Sequence, residues 1–224
     1  MEYYAIVIRD NEISESAFKR LKESTPIHIN RRDAVTPRSV RTLLHNHDLR
    51  WNYPWRGEQL DIETGLIKSA YLTKEPKRRI ACALSHYFLW KKCLELNEPI
   101  VILEHDAMFT NKIDFDIMDT KYDIVGINDP RRATRLSQVY HGEIQRQGRN
   151  ICQVPWIDNQ QIPQGLAGNS AYVMKPSGAK KMVGLAKTYG LWPNDALMCR
   201  QLIPSIGVTK KYYTKVQGTE STTT

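Results

Sequence analysis

IVILEHDAMF, Ile100 to Phe109, runs four aliphatic residues into Glu104, His105 and Asp106 and then returns to apolar side chains. An unbroken aliphatic run of this length suits a strand buried on both faces of a sheet. Three groups that resist burial therefore stand directly after a strand, at the carboxyl end where open α/β sheets bind their ligands. Two carboxylates one residue apart can both reach a hard divalent cation, Mg²⁺ or Mn²⁺, which prefers oxygen and commonly takes only one or two ligands from protein. Taken alone, a Glu-x-Asp triplet is more often a cap on the next turn or the partner of an arginine.

The surrounding chain supplies the rest of an α/β pattern. Upstream, Ile80, Ala83, Leu84, Tyr87, Phe88 and Leu94 recur at helical spacing, with Cys82, His86, Leu89 and Cys93 on a second apolar face, and Pro99 ends the helix. Tyr3–Ile8, Ile27–Asn30, Tyr122–Asn128 and Ser170–Met174 read as strands, while Ser14–Lys22 and the segment PSGAKKMVGLAK, with Pro176 in its first turn, read as helices. Strands separated by helices predict a mostly parallel central sheet with helices on both faces, in one domain spanning 1–218. Residues 38–76, with Trp51, Tyr53, Pro54, Trp55, Gly57 and Gly65 and no clear period, predict an irregular insertion or substrate-facing loop. The polar end TESTTT, 219–224, predicts a flexible tail.

Composition narrows the partners. The 224 residues carry a formal charge of +8, which favours an anionic ligand: a nucleotide, a nucleic acid such as DNA, or an anionic glycan or glycolipid. Cys82, Cys93, Cys152 and Cys199 are widely spaced and form no CxxC pair, which argues against a zinc ribbon and a disulfide scaffold. MEYYAIVIRD has neither the basic start nor the long apolar stretch of a secretory signal, and no run is long enough to span a bilayer, so a soluble, cytoplasmic protein is expected.

RRIACALSHYFLWKKC followed by EPIVILEHDAMF, then GNSAYVMKPSGAKKM and WPNDALM, resembles glycosyltransferase family 25, the group of lipopolysaccharide-type and collagen galactosyltransferases. The family's "GCALSH" helix start corresponds to Ala81–His86 and its "ILEDDA" motif to Ile102–Ala107. His105 stands where the family's middle aspartate is usual, and Arg78 and Arg79 where a "GEIG"-like lead-in is common. The resemblance implies a GT-A type, Rossmann-like fold. It also implies a nucleotide-diphosphate sugar donor, a UDP-hexose or UDP-pentose, and transfer with inversion aided by Mn²⁺ or Mg²⁺.

Carried over onto matching residues, it implies Asp106 and Glu104 as metal ligands, with Glu104 also facing the nucleotide, and Arg9, Ser85 and His86 lining the donor site. Asp195 of WPND is implied as the base that takes the acceptor's proton, or else it caps a helix starting at Ala196. His86 is equally readable as a satisfied core histidine, and Arg9 as a surface arginine. No histidine follows His141, which leaves Gln217, Glu220 or water as a further metal ligand. Asn169 and Ser170 in GLAGNS, and Trp51 and Trp55 between basic residues, suit contacts to an acceptor, either a lipopolysaccharide-like glycan or a hydroxylated DNA base. HNHD, His45–Asp48, raises a different class, a metal-dependent nuclease, but lacks the i, i+4 spacing that puts two imidazoles on one helix face. A noncatalytic nucleic-acid-binding module would use Trp51, Tyr53 and Trp55 for stacking.

Overall fold

The computed structural model of the chain describes residues 1–133 and 136–218. β1 (Glu2–Val7), α1 (Glu12–Glu23), β2 (Asn30–Asp33) and α2 (Val40–Asn46) come first, followed by a hairpin of β3 (Glu58–Asp61) and β4 (Leu66–Ser69). α3 (Pro76–Leu96) leads into β5 (Ile100–Glu104) and β6 (Ala107–Phe109), then β7 (Ile124–Gly126), α4 (Ser137–Arg146) and β8 (Ile151–Gln153). β9 (Ala171–Met174), α5 (Pro176–Thr188), the one-turn α6 (Asn194–Leu197), β10 (Ile206–Thr209) and β11 (Thr214–Val216) follow.

Seven strands form one sheet in the order β2-β1-β5-β9-β7-β10-β8. β1 is parallel to β2 and β5, and β7 to β10, while β9 runs antiparallel between β5 and β7, and β8 antiparallel beside β10. Five strands thus share a direction, as expected of a mostly parallel sheet. The reversal of β9 positions the site, because it delivers Asn169 and Ser170 to the same edge as the carboxyl ends of β1, β5 and β7.

The aliphatic run of β5 is explained by its two buried faces. Ile100 and Ile102 pack into the core under α3 and α5, and Val101 and Leu103 into the core under α1; all four are 0% exposed. Burying each such side chain contributes about 1.5–3 kcal/mol. α3 starts with Pro76, whose missing N–H costs nothing in a first turn, and stops at Asn97 in the left-handed region (φ 51°). Ala83, Leu84, Leu89, Trp90 and Cys93 are all fully buried, so the helix meets protein on several sides.

Two segments differ from the sequence expectation. The second strand falls at Asn30–Asp33 rather than Ile27–Asn30, since the polar NRRD pairs with Tyr4–Val7 at the sheet's margin, where charged side chains reach water. Residues 38–76 are not irregular throughout, for they carry α2 and the β3–β4 hairpin. That hairpin is pinned by a buried ion pair instead of an apolar stripe: Lys68 Nζ donates to Asp61 Oδ2 at 2.6 Å and to the Asn52 carbonyl at 2.9 Å, and lies over the Trp192 ring. The tail 219–224, with Glu220, lies outside the described residues. Among those described, all four cysteines are free thiols, and no helix is long and apolar enough to cross a membrane.

Candidate active site

β5 ends at Glu104, and its N–H donates to the Ser170 carbonyl at 2.8 Å, joining the acidic triplet to the loop that enters β9. His105 turns inward, 8% exposed, and burial lowers its pKa against the pull of Glu104, which keeps the imidazole neutral. Asp106 is half-buried, and its Oδ1 is buried with no hydrogen-bond partner among the described residues. Burial, reinforced by the neighbouring charge of Glu104, pushes the Asp106 carboxyl up to about 7. Asn169 Oδ1 and Ser170 Oγ are likewise buried without partners. Orphaned polar atoms are few in a folded chain, and three of them on the acidic triplet and the loop bonded to it make this edge the candidate ligand site.

His86 sits behind Glu104, fully buried on α3. Its Nε2 lies 3.3 Å from Glu104 Oε1 and its Nδ1 3.0 Å from the Tyr172 hydroxyl, which also accepts the Trp90 indole N–H at 2.9 Å. Cys82, one turn earlier, brings its thiol close enough that ligand atoms of Cys82, His86 and Glu104 lie within 4.8 Å of one another. Burial raises the Cys82 pKa, and the charges of Glu104 and Asp195 add to the rise.

Asp195 lies inside the first turn of α6, whose N-cap is Pro193, so it does not cap a helix at Ala196. Burial raises its carboxyl above the usual range, opposed by Arg79 and by the hydroxyl of Tyr71, while Glu104 adds to the rise. Gly165 lets the GLAG loop reach this turn: a Cβ there would stand 2.2 Å from the Asp195 carbonyl. Tyr71 stacks on Tyr53 at 5.8 Å and lies beneath Arg79, whose Nε is buried and unpaired.

The remaining sequence-derived candidates lie further out or are already engaged. Arg9 is 69% exposed and ion-paired to Asp33 at 2.5 Å. Ser85 Oγ donates to the Ala81 carbonyl at 2.8 Å and accepts the Val35 N–H at 2.9 Å, so it ties the loop after β2 to α3. Ser85 also lines a groove of about 330 Å³ with Arg32, Asp33, Val35, His47 and Phe88. Trp51 and Trp55 stack on each other at 5.1 Å, with Trp55 39% exposed, and Trp51 bridges to Leu191, four residues before Asp195. In HNHD, His47 packs edge-on against Phe88 at 4.9 Å while His45 and Asp48 face solvent, so the four residues make no metal cluster.

Hard-cation chemistry fits Asp106 and Glu104, two half-buried carboxylates, one with an oxygen that nothing else satisfies. Gln217 does not fit: its Oε1 accepts from Arg20 Nε at 2.6 Å, and its amide donates to the Ala17 and Ala107 carbonyls. Sequence reasoning passed over Tyr172 and Trp90, although Trp90 stands four residues after His86 and so on its helix face, a spacing that marks neighbours.

An open α/β sheet with an acidic pair at its carboxyl edge places the chain in the α/β class that binds its ligands at that edge. The profile of glycosyltransferase family 25 (LPS biosynthesis protein) matches residues 18–198, and the chain belongs to that family, a glycosyltransferase. No curated protein matches the chain. Among solved structures, it is similar to a glycosyltransferase involved in the glycosylation of the major capsid of PBCV-1, at 9% identity over 99% of this chain and 95% of that one, TM-score 0.41. A197 from STIV is similar at 9% identity over 100% and 98%, TM-score 0.39. Likenesses this slight say nothing about substrate.

Proposed function

We propose that the chain moves a hexosyl or pentosyl unit from a UDP-sugar to an acceptor hydroxyl with inversion, at the edge shared by β5, the β9 entry loop and α6. The observation that carries this reading is the unpartnered, buried Asp106 oxygen beside Glu104. In this reading Asp106 and Glu104 hold Mn²⁺ or Mg²⁺, which when bound neutralises charge on the departing diphosphate. The groove beside Ser85, with Arg9 at its margin through Asp33, takes the nucleoside, and Asn169 and Ser170 bond the transferred sugar. Asp195 accepts the acceptor hydroxyl's proton, a task suited to a carboxylate that burial makes more basic than a free one. The stacked Trp51 and Trp55 offer flat apolar faces to an acceptor ring.

The family's description favours a glycan acceptor of the lipopolysaccharide kind. A hydroxylated DNA base as acceptor requires duplex binding that weakens steeply with salt, and absence of such binding at low salt leaves the glycan. The deciding experiment offers a panel of nucleotide sugars with Mn²⁺ and measures slow donor hydrolysis. One UDP-sugar should be hydrolysed by the wild type and spared by Asp106→Ala; hydrolysis unchanged in that variant sinks the metal assignment.

A further inference from the structure

An indole nitrogen donates and cannot accept, so the bond between Trp90 and Tyr172 has one direction. Trp90 Nε1–H donates to the Tyr172 oxygen at 2.9 Å, and among the described residues the only other group bonded to that hydroxyl is His86 Nδ1 at 3.0 Å. All three side chains are 0% exposed, so the single phenolic proton is satisfied only if it points at Nδ1. Nδ1 then accepts, the ring's own proton sits on Nε2, and Nε2 donates to Glu104 Oε1 at 3.3 Å.

We propose that Trp90 and Tyr172 are positioning residues: they lock His86 as the Nε2–H tautomer, and His86 thereby holds Glu104 in the orientation the site uses. What Glu104 is oriented for rests on the transferase reading, whereas the tautomer does not. The arrangement also decides a rival use of the same atoms. Cys82, His86 and Glu104 have the mutual spacing of a three-ligand site for a borderline cation such as Zn²⁺. Ligation there needs a bare Nε2, which would put the ring proton on Nδ1 and leave the Tyr172 proton buried with nowhere to go.

The test begins with the wild-type chain carrying ¹⁵N-histidine, in which two-bond proton–nitrogen correlations report the tautomer. His86 should be Nε2–H, and Tyr172→Phe should shift it towards a mixture. Mn²⁺ affinity, followed by water-proton relaxation, should fall roughly 10- to 100-fold in Tyr172→Phe, the range for loss of an outer-shell partner. His86→Gln, whose amide nitrogen can replace Nε2–H, should keep most of the wild-type affinity, and adding Tyr172→Phe to it should change nothing further, a coupling that a merely structural tyrosine would not show. An Nδ1–H tautomer in the wild type overturns the proposal. So does a thiolate-to-cobalt charge-transfer band on adding Co²⁺ that disappears in Cys82→Ser. A wild type that shows Nε2–H yet binds no Mn²⁺ counts against the transferase metal reading and leaves the lock standing.

Discussion

Asp61 and Asp106 are both withdrawn from water beside a strand end, and the fold treats them in opposite ways. Asp61 receives Lys68 Nζ at 2.6 Å on one oxygen, and the Thr64 N–H and hydroxyl, each at 3.0 Å, on the other. Burial works to raise its carboxyl, but Lys68 and Thr64 outweigh it and hold the group below the usual range. Asp106 has an oxygen with no partner, and burial together with Glu104 lifts its carboxyl to about 7. A saturated buried charge holds a structure together, while an unsaturated one is a standing cost that a ligand removes.

The largest expected effect tests that division directly. Lys68→Ala strands Asp61 and should cost about 3–5 kcal/mol in urea unfolding, the range for breaking a buried pair from one side. Asp106→Asn removes a repelled charge and should leave unfolding unchanged or slightly favourable. Its donor turnover should nevertheless fall at least about a hundredfold, since metal-assisted charge stabilisation supplies several kcal/mol. The contrast fails if Asp106→Asn unfolds as readily as Lys68→Ala.

A smaller effect separates the two carboxylates by pH. The folded state binds the Asp106 proton more tightly than the unfolded chain does, so that site favours folding in acid. Its contribution is lost as pH climbs from the ordinary 3.8 to about 7. Asp61 has the reverse sign: its lowered folded pKa adds stability above 3.8 that disappears as pH falls through the folded value. In thermal melts the advantage of Asp106→Asn over wild type should therefore widen from about pH 4 to about pH 7 and then level. Mn²⁺ should raise the wild-type Tm more at about pH 8 than at about pH 5, because protons compete for the ligand. Equal Mn²⁺ shifts at both, or a shift surviving in Asp106→Asn, would move the cation elsewhere.

How far the sequence reached follows the same physics. β5 and α3 were readable because burial on both faces leaves an unbroken aliphatic run and burial around a helix leaves two apolar stripes. The four motif blocks carried the family. The hairpin at 58–69 was invisible, since one Lys68–Asp61 pair does the work that an apolar period would advertise. Strand composition carries no direction, so SAYVM announced β9 without its reversal, and with it went the reason Ser170 meets Glu104. Gln217 looked free as a ligand, yet its amide is saturated by Arg20, Ala17 and Ala107 from distant parts of the chain. Tyr172 gave no sign of its role, because a strand tyrosine in a core is ordinary until its hydroxyl partners are seen.

The smallest effect separates two serines that are buried almost equally, Ser85 at 3% and Ser170 at 4% exposure. Ser85 uses its hydroxyl twice, towards Ala81 and Val35, whereas the Ser170 hydroxyl has no partner. Ser85→Ala leaves the Val35 N–H unpaired and should cost about 1–3 kcal/mol in urea unfolding. Donor affinity should change only as far as the loop after β2 shifts. Ser170→Ala removes an unsatisfied buried group, so the same unfolding measurement should show no loss or a slight gain. Its effect should appear in turnover instead, as a several-fold drop with the preferred UDP-sugar. If Ser170→Ala destabilises as much as Ser85→Ala, the hydroxyl has a structural partner, and the orphaned edge beside Asp106 shrinks to the carboxylate and Asn169.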